Sequence, residues 1–340
     1  MDFRENVNRR EAFIRWYAWS LEYKDCDPAV WMTNYLHRRY EHNREQRYWL
    51  AWLYGNTYQL PTAWVLLQEF PDFELATYDR IKQWNDENYT RLRYQVDTKW
   101  NKGHLPEMFK SYKEWIGDGT QEDKFRSLFR DNPSEYFDVL WTEIKQHLFK
   151  FGRYSTWFYI QHLRHTADVD VFPTSLMFSD YSGSRSHRNG FLYALGMENR
   201  IDEKLETGEY DYLEGEGNMV MAEMQSRFPH LASEVDAFTM ETCLCSFKKI
   251  FREHHGRYLG YYLDRQAEEI KKAETDGWHG IEWNVLWQAR KEMLDSRLDI
   301  KTGVDKSKYS TFVESGNMIN LDWMFTDVNP VANGIEQWLS

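Results

Sequence analysis

Only 8 prolines and 18 glycines interrupt 340 residues, and runs of β-branched residues are scarce. Proline and glycine are the residues that stop helices and make turns, so long stretches without them favour helix. The segments bear this out locally. "DPAVWMTNYLHRRYEHNREQRYWLAWLYGNTY" opens with Asp27 as a candidate N-cap and Pro28 at the first helical position; Trp49, Leu50, Leu53 and Tyr54 follow in a second helix, which Gly55-Asn56 is read as ending. "LPTAWVLLQEFPDF" reads as a short buried helix with Thr62 near its start and Pro71 as its stop. "DVLWTEIKQHLFKFGRYSTWFYIQHLRHTA" reads as two helices hinged at Gly152. In "DAFTMETCLCSFKKIFREHH" the apolar residues Phe238, Met240, Cys243, Leu244, Phe247, Ile250 and Phe251 recur three or four apart, as on one face of a helix. "RYLGYYLDRQAEEIKKAE" and "WNVLWQARKEMLDSRL" continue the pattern. The expectation is an all-α protein: one large helical domain over 1–340 with long loops, and a candidate sub-domain boundary near residue 150.

Charge and cysteine usage limit the functions open to it. The net charge is −12, so the chain as a whole does not attract polyanions, and a nucleic-acid partner needs a local basic surface. Cys26, Cys243 and Cys245 form no disulfide framework, and "TCLC" lacks the partner pair of a zinc site, so core thiols are expected. The charged start and the lack of a long apolar run point to a soluble, intracellular protein without a membrane partner. Aromatics make up 17% of the chain, enough to build a core and still leave rings to stack on bases.

One stretch concentrates hydrogen-bond donors: "SDYSGSRSHRNGF", residues 179–191. Ser182, Ser184 and Ser186 offer hydroxyls, Arg185 and Arg188 offer charge, and Asn189 both donates and accepts. Gly183 and Gly190 permit close backbone approach or a positive φ. The stretch fits either a solvated turn or a cradle for phosphate oxygens. It lacks the Gly-Lys-Ser/Thr ending of a nucleotide-hydrolysing loop. Between Lys145 and Gly190 six lysines and arginines face three aspartates, a local +3 on an acidic chain. Two more segments carry candidate chemistry. In "RLRYQVDTKWNKGHLPEMF", Arg93, Lys99 and Lys102 alternate with Tyr94 and Trp100, which suits phosphate contacts plus stacking and equally suits a solvated helix end. In "RYLGYYLDRQAEEI", Arg257, Tyr261, Asp264 and Glu268 fall on one helical face, where a carboxylate among tyrosines serves as a general base or as a rung of an ion-pair ladder.

These stretches, together with "QRYWLAWLYGNTYQLPTAWVLLQEFPDF", "FGRYSTWFYIQHLRH" and "WNVLWQAR", resemble the bacteriophage amino acid:DNA transferases, also called α-glutamyl/putrescinyl-thymine pyrophosphorylases. The resemblance spans about 40 to about 298. It implies a largely helical fold, distantly like helical DNA glycosylases, and a role in thymidine hypermodification in the host-cell cytoplasm. The substrates it implies are double-stranded phage DNA carrying pyrophosphorylated 5-hydroxymethyluracil and an amine, either an amino acid or putrescine. No cofactor follows from it, and metal dependence stays open. Under that reading Ser182, Ser184, Arg185, Ser186, Arg188 and Asn189 hold the departing pyrophosphate, with Arg153 assisting. Asp264, Asp180 or His187 takes the proton from the amine. Trp157 or Tyr54 stacks on the flipped base, and Arg93, Lys99, Lys102, Arg257 and Tyr261 contact DNA. The acidic stretch 198–216 is expected to face away from the duplex. A base-excising glycosylase using Asp264 and a non-enzymatic adaptor are the alternatives.

Overall fold

The structure is a computed structural model that describes residues 5–182, 184–250 and 261–294. Among these residues there are fourteen α-helices and no strand. The first half of the chain holds α1 (Arg9–Glu22), α2 (Pro28–Arg39), α3 (Arg44–Thr57), α4 (Leu60–Glu69), α5 (Tyr78–Asn88), α6 (Leu105–Ile116), α7 (Gln121–Leu128) and α8 (Pro133–His147). The second half holds α9 (Arg153–Ala167), α10 (Ser186–Ala194), α11 (Thr207–Arg227), α12 (Ala237–Phe247), α13 (Tyr261–Thr275) and α14 (Trp283–Met293).

Side chains start many of these helices. Asn43 and Gln46 form a reciprocal capping box on α3, Thr120 and Asp123 on α7, and Asp236 and Thr239 on α12. The hinge at Gly152 is real, with α8 ending at His147 and α9 beginning one residue later than the glycine.

The core is built around α3 and α9, which lie on opposite sides of residue 150 in sequence and pack along their length. Every residue of α3 from Tyr48 to Thr57 is buried, so this helix is apolar all round rather than on one stripe. Gly55 does not end it. A methyl there would lie 2.8 Å from the Tyr159 side chain, so glycine is the residue that lets α3 approach α9, and the helix stops instead at Tyr58 in the left-handed conformation. Trp49 stacks on Trp52 at 5.1 Å, and Trp52 on Tyr112 at 5.0 Å. Most of the aromatic excess is therefore spent on packing.

Two expectations need correction. The donor-rich stretch is a loop only as far as Arg185, because α10 begins at Ser186. The acidic stretch 198–216, though largely exposed, is not a free loop. Its second half is the start of α11, and Glu214 accepts the backbone amides of Leu176 and Phe178 at 2.8 and 3.1 Å. The peptide N–H groups of the buried residues Leu176 and Phe178 needed an acceptor, and that acid supplies one.

Candidate functional site

The start of α10 gathers most of the donors named from sequence. Ser184 Oγ accepts the Ser186 amide at 3.3 Å, which tightens the turn into the helix. Ser186 Oγ donates to the Cys245 carbonyl at 3.4 Å, and the Ser186 carbonyl accepts Lys248 Nζ at 3.3 Å. A methyl at Gly190 would fall 1.8 Å from the Leu244 carbonyl oxygen, so α10 lies directly against α12 and only glycine fits the crossing. That crossing fixes His187 and Arg188, half a turn earlier, into the interior.

Arg188 is fully buried, and none of its three guanidinium nitrogens makes a hydrogen bond. Its plane sits 4.2 Å from the centre of the Tyr181 ring, whose hydroxyl bonds that of Tyr210. A buried, unpaired guanidinium is costly in a structural setting and is what an anion site requires. The helix N-terminus beside it adds partial positive charge. Arg185 is different. It is part-exposed, donates to the Asp202 carbonyl at 3.2 Å and lies 5.7 Å over Tyr181. Asn189 Nδ2 donates to Asp202 Oδ1 at 2.7 Å. The acidic stretch thus touches the cradle, because Asp202 orders Arg185 and Asn189.

Beneath the cradle lies a buried ion pair. Arg153 Nη1 meets Glu241 Oε1 at 2.7 Å, both fully buried, and Arg153 Nη2 donates to the Leu176 carbonyl at 3.2 Å. The Arg153 amide donates to Ser182 Oγ at 3.1 Å, which ties the loop to the start of α9. His187 stacks on Phe178 at 5.2 Å, with Nδ1 4.0 Å from Glu241 Oε1. Burial, then the charges of Arg153 and Arg188, push His187 well below its usual range, so the ring is neutral. Glu241 was missed from sequence. Its signal was available: a single acid within a helix whose neighbours Phe238, Met240, Cys243 and Leu244 are all core.

The remaining candidates divide clearly. Asp180 is paired with Lys145 and accepts the Ser182 hydroxyl at 2.6 Å. Burial alone would raise its carboxyl, but the bonds from Lys145 and Ser182 prevail and hold it below the usual range. It is a loop anchor and a weak base. Trp157 is fully buried against Phe137, Trp141 and Phe238, so it cannot stack on a base. Tyr54 is buried too, its ring 4.0 Å from that of His162. Both rings sit on helices covered from every side. Burial drives the Cys243 and Cys245 thiols well up; Cys243 is a core thiol and Cys245 is half-buried.

A second site is a cleft of about 480 Å³ lined by Arg93, Lys99, Lys102, Tyr261, Arg265 and Glu268, among others. The two segments that suggested DNA contacts, far apart in sequence, therefore meet. Residues 96–104 form a 3₁₀ segment pinned to the end of α3: Thr98 Oγ1 donates to the Thr57 carbonyl at 2.7 Å and Asn101 Nδ2 to that of Asn56 at 3.0 Å. Orphan carbonyls at a helix C-terminus need such donors. Within the cleft Arg93 pairs with Asp276, Arg265 with Glu269 and Lys272 with Glu268. Lys99 and Lys102 instead lie over the rings of Trp100 and Tyr89, at 4.9 and 4.4 Å. Those rings are exposed, Trp100 by 70%. Asp264 is buried with Ala267 and Ile270 on the inner face of α13 and does not line the cleft. Arg257 and Gly183 lie outside the described residues.

Among the described residues no helix is long and apolar enough to cross a membrane. No solved structure matches the chain. A serinyltransferase of Salmonella phage ViI is 29% identical over 299 residues, which is 80% of this chain and 71% of that protein. Residues 14–255 match the model of the amino acid:DNA transferases, and the chain belongs to that family of DNA-modifying transferases.

Proposed function

We propose that the protein replaces the pyrophosphate of 5-(pyrophosphoryloxymethyl)uracil in double-stranded phage DNA with an amine, within the host cytoplasm. The observation that carries this reading is the Arg188 guanidinium, buried and without a hydrogen bond over the Tyr181 ring, on the first turn of α10. In the reaction the bond from the 5-methylene carbon to oxygen breaks and pyrophosphate leaves with the electron pair. The amine nitrogen bonds the same carbon and gives up a proton. Negative charge grows on the departing oxygens, so preorganised donors there lower the barrier. Arg188 supplies the desolvated charge, Ser184 and Ser186 the hydroxyls, and Arg185 a screened charge at the rim. Arg153 acts through position, since its charge is committed to Glu241.

Lys99 and Lys102 hold the DNA backbone, while the rings of Trp100 and Tyr89 replace Trp157 and Tyr54 as stacking surfaces for an unpaired base. The name of the phage ViI relative supports a small amino acid as donor. The test is incubation with pyrophosphorylated hydroxymethyluracil DNA and a panel of amines. Pyrophosphate release with a heavier nucleoside is expected; an abasic site or unaltered DNA overturns the reading.

A further inference from the structure

Asp27 precedes α2 in the N-cap position, yet its side chain makes no capping hydrogen bond. Its Oδ2 is buried and bonds to nothing. It borders a cavity of about 40 Å³ lined by the end of α1, the start of α2, α9 and α12, whose other polar lining includes Gln161, His165 and Thr242. Gln161 Oε1 and His165 Nε2 are likewise buried without a partner. Burial and the charge of Arg164 lower His165 to about 4, so its ring is neutral at pH 7 and, protonated on Nδ1, presents a lone pair at Nε2.

We propose that this cavity binds the primary ammonium group of the amine co-substrate, with Asp27 as counter-ion and proton acceptor. A primary ammonium has three N–H donors and no acceptor. Asp27, Gln161 and His165 line one space, and Asp27 Oδ2, Gln161 Oε1 and His165 Nε2 have no donor of the protein bonded to them. Lys24, also on the wall, is engaged elsewhere: Nζ donates to the Met293 carbonyl at 3.2 Å and lies 4.8 Å over the Trp31 ring. The volume suits the small end of a ligand, at roughly three water molecules. One helix, α12, gives Thr239 and Thr242 to this cavity and Glu241 to the ion pair under the anion cradle. Burial, reinforced by the nearby Glu241, raises the Asp27 carboxyl to about 7, and the Val30 amide and Tyr58 hydroxyl, close by but without a completed hydrogen bond, oppose the shift. A carboxyl so tuned holds an ammonium and takes its proton to leave the nucleophilic neutral amine.

The ligand class rests on the transferase reading, and the experiment separates the two. Binding of glycine, L-serine and glycolate to the full chain is measured without DNA by calorimetry, with Trp31 fluorescence as a second readout. Glycine and serine are expected to bind at least tenfold more tightly than glycolate, which lacks the ammonium. Asp27→Asn is expected to lower that affinity tenfold or more and, in turnover, to raise KM for the amine while pyrophosphate binding is unchanged. If Asp27→Asn does not fold, Gln161→Leu is expected to give the same loss. Amine binding that depends on Asp27 without any transfer to DNA sinks only the transferase reading. Transfer with an unaltered amine KM in these variants, or a wild type blind to the ammonium, overturns the cavity assignment.

Discussion

Replacing Gly190 by alanine probes the crossing that holds the anion cradle together. The added carbon would sit 1.8 Å from the Leu244 carbonyl oxygen, where about 3.0 Å is the practical floor, so α10 and α12 must part by about 1.2 Å. A carbonyl inside a helix cannot swing aside as a side-chain tip can. Overpacking costs about 1–3 kcal/mol, and this rigid contact belongs at the upper end. Alanine returns about 0.5–1 kcal/mol through its better helix preference, leaving about 2 kcal/mol of net destabilisation. At roughly 2 °C or more per kcal/mol for a chain of this size, Tm falls by about 4 °C or more. Gly215→Ala is the matched control, since an added methyl on that exposed turn of α11 meets nothing within 4 Å. It should raise stability by about 0.5–1 kcal/mol. Circular dichroism melts of both variants decide the matter. A Gly190→Ala protein that melts with the wild type would refute the close packing, and with it the reason Arg188 is held inside.

Three further outcomes are expected. Glu241→Leu leaves Arg153 charged and buried with the Leu176 carbonyl as its remaining bonded partner, so urea denaturation should show a loss of about 3–5 kcal/mol, largely recovered in Arg153→Met/Glu241→Leu. Lys99→Ala/Lys102→Ala should weaken DNA binding across all sequences and flatten the log Kd against log salt plot by roughly 2, read by fluorescence anisotropy. His37, His42, His162, His165 and His187 are all depressed, chiefly by burial, His37 to about 2 and His42 and His165 to about 4. A group whose folded pKa lies below its unfolded value stabilises above the unfolded pKa and loses that contribution as pH falls. Thermal melts should therefore fall progressively below about pH 6.5. Asp27, raised to about 7, works oppositely, favouring the fold most at low pH and least above 7, so Asp27→Asn should steepen the acid side of the profile.

The helices were legible because their signals are local: Pro28 opens α2, Gly152 separates α8 from α9, and the period of residues 238–247 survives as a buried face. What failed was anything set by a distant partner. Gly55 reads as a stop until Tyr159 is seen across from it. Asp27 reads as a cap, and stands in the right place without doing that work. Trp157 is as good a base-stacking ring as Trp100 by composition; only burial separates them. The donor-rich stretch was found, but not its division of labour. Asp202 and Lys145 claim Arg185, Asn189 and Asp180, and that left Arg188 as the member without a hydrogen bond.

A guanidinium that is sealed from water without a hydrogen bond weakens a fold unless binding uses it, so function and stability should respond in opposite directions. The direct measurement is the affinity of inorganic pyrophosphate for wild type and Arg188→Met, with melting curves of both. The methionine protein should melt at or above the wild-type temperature and bind pyrophosphate at least tenfold more weakly. Undiminished pyrophosphate affinity together with a lowered melting temperature would make Arg188 a structural residue and contradict the account.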